Sequence, residues 1–163
     1  MQTAPSPHGF SFRPATEDDV AHILSIEGAV HSAPWTEENI RAEMSKPYSY
    51  FLLLTDDETD STIAGYIVYW LMFDECQILN VAVDFPYRGL GFAKQMVRHA
   101  ATEGHRKGLK KVLLDVRKSN AAAIQLYQKV GFAVTHVRKN FYSNGEDAYQ
   151  MGLFMDVEQP LDF

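Results

Sequence analysis

Two features of residues 80–100 could do chemistry. An apolar run, Asn80-Val81-Ala82-Val83, stops at Asp84; Arg88-Gly89-Leu90-Gly91-Phe92-Ala93-Lys94 follows, and apolar residues return at Phe92, Met96, Val97 and Ala100 with helical spacing. An arginine and small residues at a helix start suit an anion. Amide N–H groups converge there and the helix dipole favours negative charge. Small residues let a pyrophosphate approach, and an arginine can pair with a phosphate oxygen. A dinucleotide loop needs G-x-G-x-x-G directly after the first strand of a βαβ unit. Here the third position is Lys94 and the loop begins five residues past Val83, although Asp115 could serve as the acidic ribose partner. The ATP-loop string G-x-x-x-x-G-K-[ST] does not occur. The plain alternative is a strand-to-helix turn, where glycines are common. The single cysteine, Cys76, excludes an internal disulfide and a cysteine metal cage. With no obvious base beside it, it reads as a small core residue. The six histidines lack metal-ligand spacing, so no metal is expected.

The elements that must position these residues follow from periodicity. Phe10–Ala15 alternates as a first strand; Thr16, with Asp19 three residues on, caps a helix to Val30 whose apolar stripe breaks at Glu27. Thr36 opens a short second helix through Ile40 and Met44. Tyr48–Thr55, Thr62–Phe73 and Glu75–Val83 read as strands of an antiparallel meander, the last two joined at Asp74. The helix after the glycine loop ends between Gly104 and Gly108. Lys110–Arg117 reads as a buried strand, and Asn120 caps a helix with Ile124, Tyr127 and Val130 inward, ended by Gly131. Phe132–Tyr142 and Ala148–Met155 are the last strands, with Ser143–Asp147 as their turn. The order is β-α-α-β-β-β-α-β-α-β-β. The aromatic run Tyr66, Tyr69, Trp70 and Phe73 reads as core packing.

The chain has 163 residues, 46% apolar and 22% charged, which suits one globular domain. Residues 1–9 read as a mobile tail, 10–156 as the domain and 157–163 as a C-terminal tail. Apolar runs are far short of the ~20 residues of a membrane span, and the N-terminus does not read as a signal peptide. The lone cysteine suits a reducing cytoplasm. A net charge of −6 argues against a general nucleic-acid binder. A monomer is favoured.

Read from Arg88, with Gly91 fourth and Ala93 sixth, the loop resembles the R/Q-x-x-G-x-G/A signature of the GNAT N-acetyltransferases. Three further strings carry the resemblance: "HSAPWTEENI", "LLDVRKSNAAAIQLYQKVGF" and "RKNFYSNGEDAYQM". In this order, from about Phe12 to Met155, they are most similar to the ribosomal-protein-alanine, or RimI-type, acetyltransferases. The resemblance implies an α/β GNAT fold: a mixed, mostly antiparallel sheet of about seven strands with about four helices. It implies acetyl-CoA as acetyl donor and the N-terminal alanine of a small-subunit ribosomal protein as acceptor; the alternatives are another protein N-terminus, a lysine or a small amine as acceptor, or a non-catalytic acetyl-CoA-binding module. Val81, Ala82 and Val83 would offer backbone groups to the pantetheine and the thioester. Arg88, Gly89, Leu90, Gly91, Phe92, Ala93 and Lys94 would wrap the pyrophosphate, and Asn120 would bond the pantetheine. Tyr127 would be the general acid; its plain alternative is a core residue whose hydroxyl seeks a partner. Pro34-Trp35 with Tyr142 would line the acceptor groove, or Pro34-Trp35 is simply a helix start.

The family's base is a glutamate in "LEVR", and this chain has "LDVR" with Asp115 there. Aspartate is shorter by one methylene, about 1.3–1.5 Å. A base must reach its proton directly or through one water. Asp115 is therefore expected to act through water or with help from Glu75 on the neighbouring strand. Its plain alternative is an ion pair with Arg117 or Lys118.

Overall fold

The computed structural model describes residues 9–59 and 61–163. Seven strands form one mixed sheet in the order β1-β2-β3-β4-β5-β7-β6. They are β1 (Phe10–Pro14), β2 (Ser49–Asp56), β3 (Ile63–Met72), β4 (Glu75–Val83), β5 (Lys111–Arg117), β6 (Ala133–Arg138) and β7 (Ala148–Phe154). The helices are α1 (Val20–Val30), α2 (Glu37–Met44), α3 (Phe92–Arg106) and α4 (Ala121–Val130). Pairing is antiparallel at β1–β2, β5–β7 and β7–β6 and parallel at β4–β5. The chain clusters into two compact units; β3, β4 and α3 each contribute to both.

The first unit holds the described residues up to Tyr69 together with Asn80–Met96. Between β1 and α1, Asp19 accepts the Thr16 amide at 2.7 Å and the Arg13 guanidinium at 2.8 and 2.9 Å, so the sequence's capping box forms around a 3₁₀ turn, Glu17–Asp19. α1 buries Val20, Ile23, Ile26 and, instead of breaking its stripe there, Glu27. Thr36 caps α2 by a reciprocal box with Asn39. Gly65 on β3 is a close approach: a Cβ there would meet the Ala82 carbonyl oxygen of β4. Only glycine lets the two backbones lie so near.

The second unit holds Trp70–Leu79 and Val97–Phe163. The β4–β5 ladder runs from Glu75↔Lys111 to Ile78↔Leu114. β5 is half-buried rather than buried: Val112, Leu114 and Val116 face the core, while Lys111, Leu113, Asp115 and Arg117 alternate onto a more open face. Asn120 caps α4, and Gly131 ends it at φ +119°, its amide bonding the Tyr127 and Gln128 carbonyls. Two expectations change. β6 stops at Arg138, four residues early, because Asn140 turns to φ +55° and its amide bonds the Asp147 carboxylate. Phe73 sits at φ +55° in the β3–β4 turn and is 89% exposed, so it is not core. α3 ends at Arg106, between Gly104 and Gly108 as expected, and Gly104 packs close to Cys76. The C-terminal segment lies against α3: His105 Nε2 is 2.7 Å from the Gln159 carbonyl, and the Arg98 guanidinium lies over the Phe163 ring at 5.4 Å.

Candidate active site

In the first unit the glycine loop is built as the sequence suggests. Asp84 caps a 3₁₀ turn, Phe85–Tyr87, and accepts the Phe85 amide at 2.9 Å. Gly89 and Gly91 take φ +79° and +81°, a left-handed conformation that glycine adopts without strain. Nothing would crowd a side chain at either, so it is the backbone turn that demands glycine. Leu90 is exposed, while Phe92 is buried and packs on Phe10 at 5.1 Å, pinning the helix start. The first bond of α3 is Gln95 amide to Gly91 carbonyl, so the Ala93 and Lys94 amides have no acceptor within the helix. Arg88 stacks on the Phe85 ring at 4.0 Å, and its Nε is 3.4 Å from the Val83 carbonyl. These residues fit a diphosphate: amides without a helical acceptor, two glycines and a cation. On β4, Ala82 is buried and Val81 and Val83 half-buried. The β5 ladder has ended by then, so the backbone of Val81–Val83 has no partner in it.

In the second unit, Asp115, Tyr127 and Tyr142 come together. Asp115 Oδ1 lies 3.1 Å from Arg138 Nε. The contact is an ion pair without hydrogen-bond alignment, so this buried oxygen keeps an open lone pair. Burial raises the Asp115 carboxyl above its ordinary value, and Arg138 opposes the rise. Tyr127 packs on Phe132 at 5.9 Å, and burial, with Tyr142 nearby, pushes its hydroxyl up to about 12. That hydroxyl makes no hydrogen bond to another described residue. Tyr142 feels the Asp115 carboxylate, and the Arg117 guanidinium lies over its ring at 3.9 Å. Asn120 spends its Oδ1 on the Ala123 amide at 3.2 Å, which leaves its amide NH2 for a ligand.

The Acetyltransferase (GNAT) family model matches residues 18–132. The chain belongs to the GNAT acetyltransferase family. The [ribosomal protein bS18]-alanine N-acetyltransferase of Escherichia coli K12 is 31% identical over 138 residues, 83% of this chain and 90% of that protein. Its namesake from Haemophilus ducreyi is 32% identical over 143 residues, covering 85% and 96%. The crystal structure of the E. coli ribosomal-protein-S18-alanine N-acetyltransferase superposes with a TM-score of 0.79 at 29% identity, over 89% of this chain and 93% of that one. Arabidopsis thaliana NAA60 in complex with acetyl-CoA shares the fold, with a TM-score of 0.79 at 18% identity, over 90% of this chain and 99% of that one. This GNAT chain is an acetyl-CoA-dependent N-acetyltransferase.

Two expectations about the base change within this GNAT site. Asp115 pairs with Arg138 rather than with Arg117 or Lys118: Arg117 is engaged by Tyr142 and Glu146. Glu75 does not assist it. Glu75 is opposite Lys111, four residues along β5 from Asp115 (111 to 115), which is roughly 13 Å at strand rise. Its carboxylate faces the Lys111 ammonium at 3.9 Å.

The sequence reading missed one cluster of this GNAT chain, in the first unit. Glu27, 1% exposed, accepts three hydrogen bonds: from the Tyr66 hydroxyl at 2.6 Å, the Asn80 Nδ2 at 2.5 Å and the Trp35 amide at 2.8 Å. His31 Nε2 stands 2.9 Å from Asn80 Oδ1 and 3.6 Å from Glu27 Oε1. Burial, then the Glu27 hydrogen bond, drives the Tyr66 hydroxyl far above the tyrosine range, so it remains a donor. The one available signal was the acid on an otherwise apolar helix face.

Proposed function

We propose that the protein acetylates the N-terminal alanine of a small-subunit ribosomal protein in the cytoplasm, by direct transfer from acetyl-CoA to the bound amine. The observation that carries the acceptor is the likeness, over most of the chain, to relatives named as bS18-alanine N-acetyltransferases. The coenzyme supplies an activated acetyl thioester. Its diphosphate suits the Arg88–Lys94 loop, with the Ala93 and Lys94 amides and the Arg88 guanidinium as partners. Backbone groups of Val81–Val83 orient the pantetheine and offer an N–H to the carbonyl oxygen as negative charge develops on it. The free amide of Asn120 holds the pantetheine.

Two proton tasks remain. The amine must be neutral to attack, and the departing sulfur needs a proton. Tyr127 suits the second: burial keeps its hydroxyl protonated far above neutral pH, and it has no competing acceptor. Asp115 suits taking a proton from the attacking nitrogen, through a water, because its short side chain is drawn toward Arg138 yet stays 22% exposed. None of these roles calls for a metal.

Thiol release from acetyl-CoA, followed with three peptides, tests the reading. The panel holds an alanine-first ribosomal N-terminus, the same peptide blocked at its α-amine, and a lysine-bearing control. Turnover with the free alanine terminus alone is expected. Turnover with lysine or small amines and none with the alanine peptide would move the acceptor to another amine and refute the proposal.

A further inference from the structure

We propose, resting on the N-terminal acetylation reading above, that His31 is a further catalytic residue: its Nδ1 takes a proton from the acceptor amine, while Asn80 and Glu27 hold its ring. The argument starts from a carboxylate that can only accept. Glu27 receives the Tyr66 O–H, the Asn80 N–H and the Trp35 N–H on its two oxygens. Asn80 must therefore turn its NH2 toward Glu27 and its carbonyl toward His31. A carbonyl also only accepts, so the His31 Nε2, 2.9 Å away, must carry a hydrogen. In the neutral ring that leaves Nδ1 as the bare nitrogen. No other described residue hydrogen-bonds it. A chain of defined polarity results, from Nδ1 through Nε2–H and the Asn80 amide to a buried carboxylate. This is the logic by which an oriented histidine works as a base.

Three further observations place this chain at the acceptor. His31 caps the C-terminus of α1, with its amide on the Glu27 carbonyl at 3.0 Å, and opens the Ser32–Trp35 segment that resembles the family's acceptor loop. Asn80 immediately precedes Val81–Val83. The histidine side chain is 32% exposed while Glu27 behind it is 1% exposed, so the ring is open to solvent and its anchor is not. Behind the ring, the Glu27 carboxylate stands 3.6 Å from Nε2. Imidazole is the side chain suited to exchanging protons near neutral pH.

The proton count closes. The α-ammonium gives one proton to Nδ1, and the pair left on nitrogen attacks the thioester carbonyl. The N–C bond forms, the C–S bond breaks, and Tyr127 protonates the sulfur. The second proton, shed from nitrogen as the amide forms, leaves through the Asp115 water and replaces the one that Tyr127 gave. The imidazolium returns its own proton to water.

The test uses the full chain, an alanine-first peptide and saturating acetyl-CoA, with His31→Gln and His31→Ala. Gln can still donate to Asn80 but cannot take a proton. The expected result is a kcat at least ~100-fold lower in both, the low end of a general base's contribution. The KM for acetyl-CoA should be unchanged, and added imidazole should partly rescue His31→Ala. A His31→Gln kcat within threefold of wild type would overturn the proposal. So would a loss confined to KM without imidazole rescue, which marks a loop anchor. If wild type turns over no N-terminal amine, the acceptor reading fails instead, and ¹⁵N shifts of the wild-type ring decide His31 separately. Hydrogen on Nε2 with a bare Nδ1 supports the proposal, and hydrogen on Nδ1 overturns it.

Discussion

Glu27→Gln is the sharpest structural test, because the amide has the same size and removes only charge and one acceptor. Oε1 takes the two side-chain donors, Tyr66 and Asn80, and Oε2 takes the Trp35 amide. Glutamine keeps the most bonds by setting its oxygen at the Oε1 position. Its NH2 then faces the Trp35 N–H, donor against donor. Losing that bond and leaving the amide unsatisfied costs about 1–3 kcal/mol, and the two remaining bonds weaken from charged toward neutral strength, about 1 kcal/mol each. Removing a buried charge returns part of this. The net is about 2–3 kcal/mol out of a total stability of roughly 5–15 kcal/mol. For a chain of this size each kcal/mol moves Tm by about 2–4 °C, so thermal unfolding should shift down by about 4–12 °C. Hydrogen exchange at the Trp35 amide should accelerate more than exchange elsewhere in the same unit. A Tm within 2 °C of wild type, or an unchanged Trp35 amide, would refute the three-donor account of Glu27.

Tyr127→Phe should lower kcat while acetyl-CoA affinity, read by calorimetry, stays near wild type; an unchanged rate removes Tyr127 as the acid. Gly65→Ala should destabilise by several kcal/mol, since its Cβ meets the Ala82 carbonyl oxygen, and should weaken acetyl-CoA binding by shifting β4; wild-type Tm and affinity would contradict the close approach. Arg13 hydrogen bonds hold the Asp19 carboxyl at about 2, below its ordinary 3.8. A lowered folded value means its stabilisation is full above pH ~4 and lost as pH falls toward 2. Asp19→Asn should therefore cost about 1 kcal/mol at pH 7, after allowing for solvent screening, and nearly nothing at pH 2; a difference independent of pH counts against the pair.

What the sequence shows and what it hides divide by distance along the chain. The Gly89–Gly91 turn, the Thr16–Asp19 box, the Thr36 helix start and the Gly131 stop are local, each closed within a few residues, and each was legible. The β5 position of Asp115 followed from strand periodicity. Its partner did not, because Arg138 arrives only through the β5–β7–β6 pairing. Glu27 was harder still. Its side-chain partners lie 39 and 53 residues away, and periodicity alone reads an acid on an apolar face as a break. Phe73 failed in the opposite sense: hydrophobicity says core, but the turn between β3 and β4 needs a left-handed residue there.

The acceptor's own acidity sets how strong a base this site needs, and that gives a discriminating measurement. An α-amine titrates near ~7.7–8.0 and a lysine side chain near ~10.4, so at pH 7 roughly a tenth of the first is free against a few parts in ten thousand of the second. That gap of about 2.5 units is a factor of several hundred. Neither base proposed here is strong: burial raises Asp115, Arg138 pulls it back and its reach is short, and imidazole is far less basic than a lysine amine. A modest base can bring an α-amine the short remaining way but leaves lysine mostly charged. The ratio of kcat/KM for the alanine-first peptide to that for the blocked, lysine-bearing one should thus exceed ~100 at pH 7. It should narrow between pH 8 and 9, where the α-amine is already free and free lysine still rises about tenfold per unit. A ratio near one at pH 7, or one that widens with pH, would mean that a strong base does the work and that the site is not tuned to an N-terminal amine.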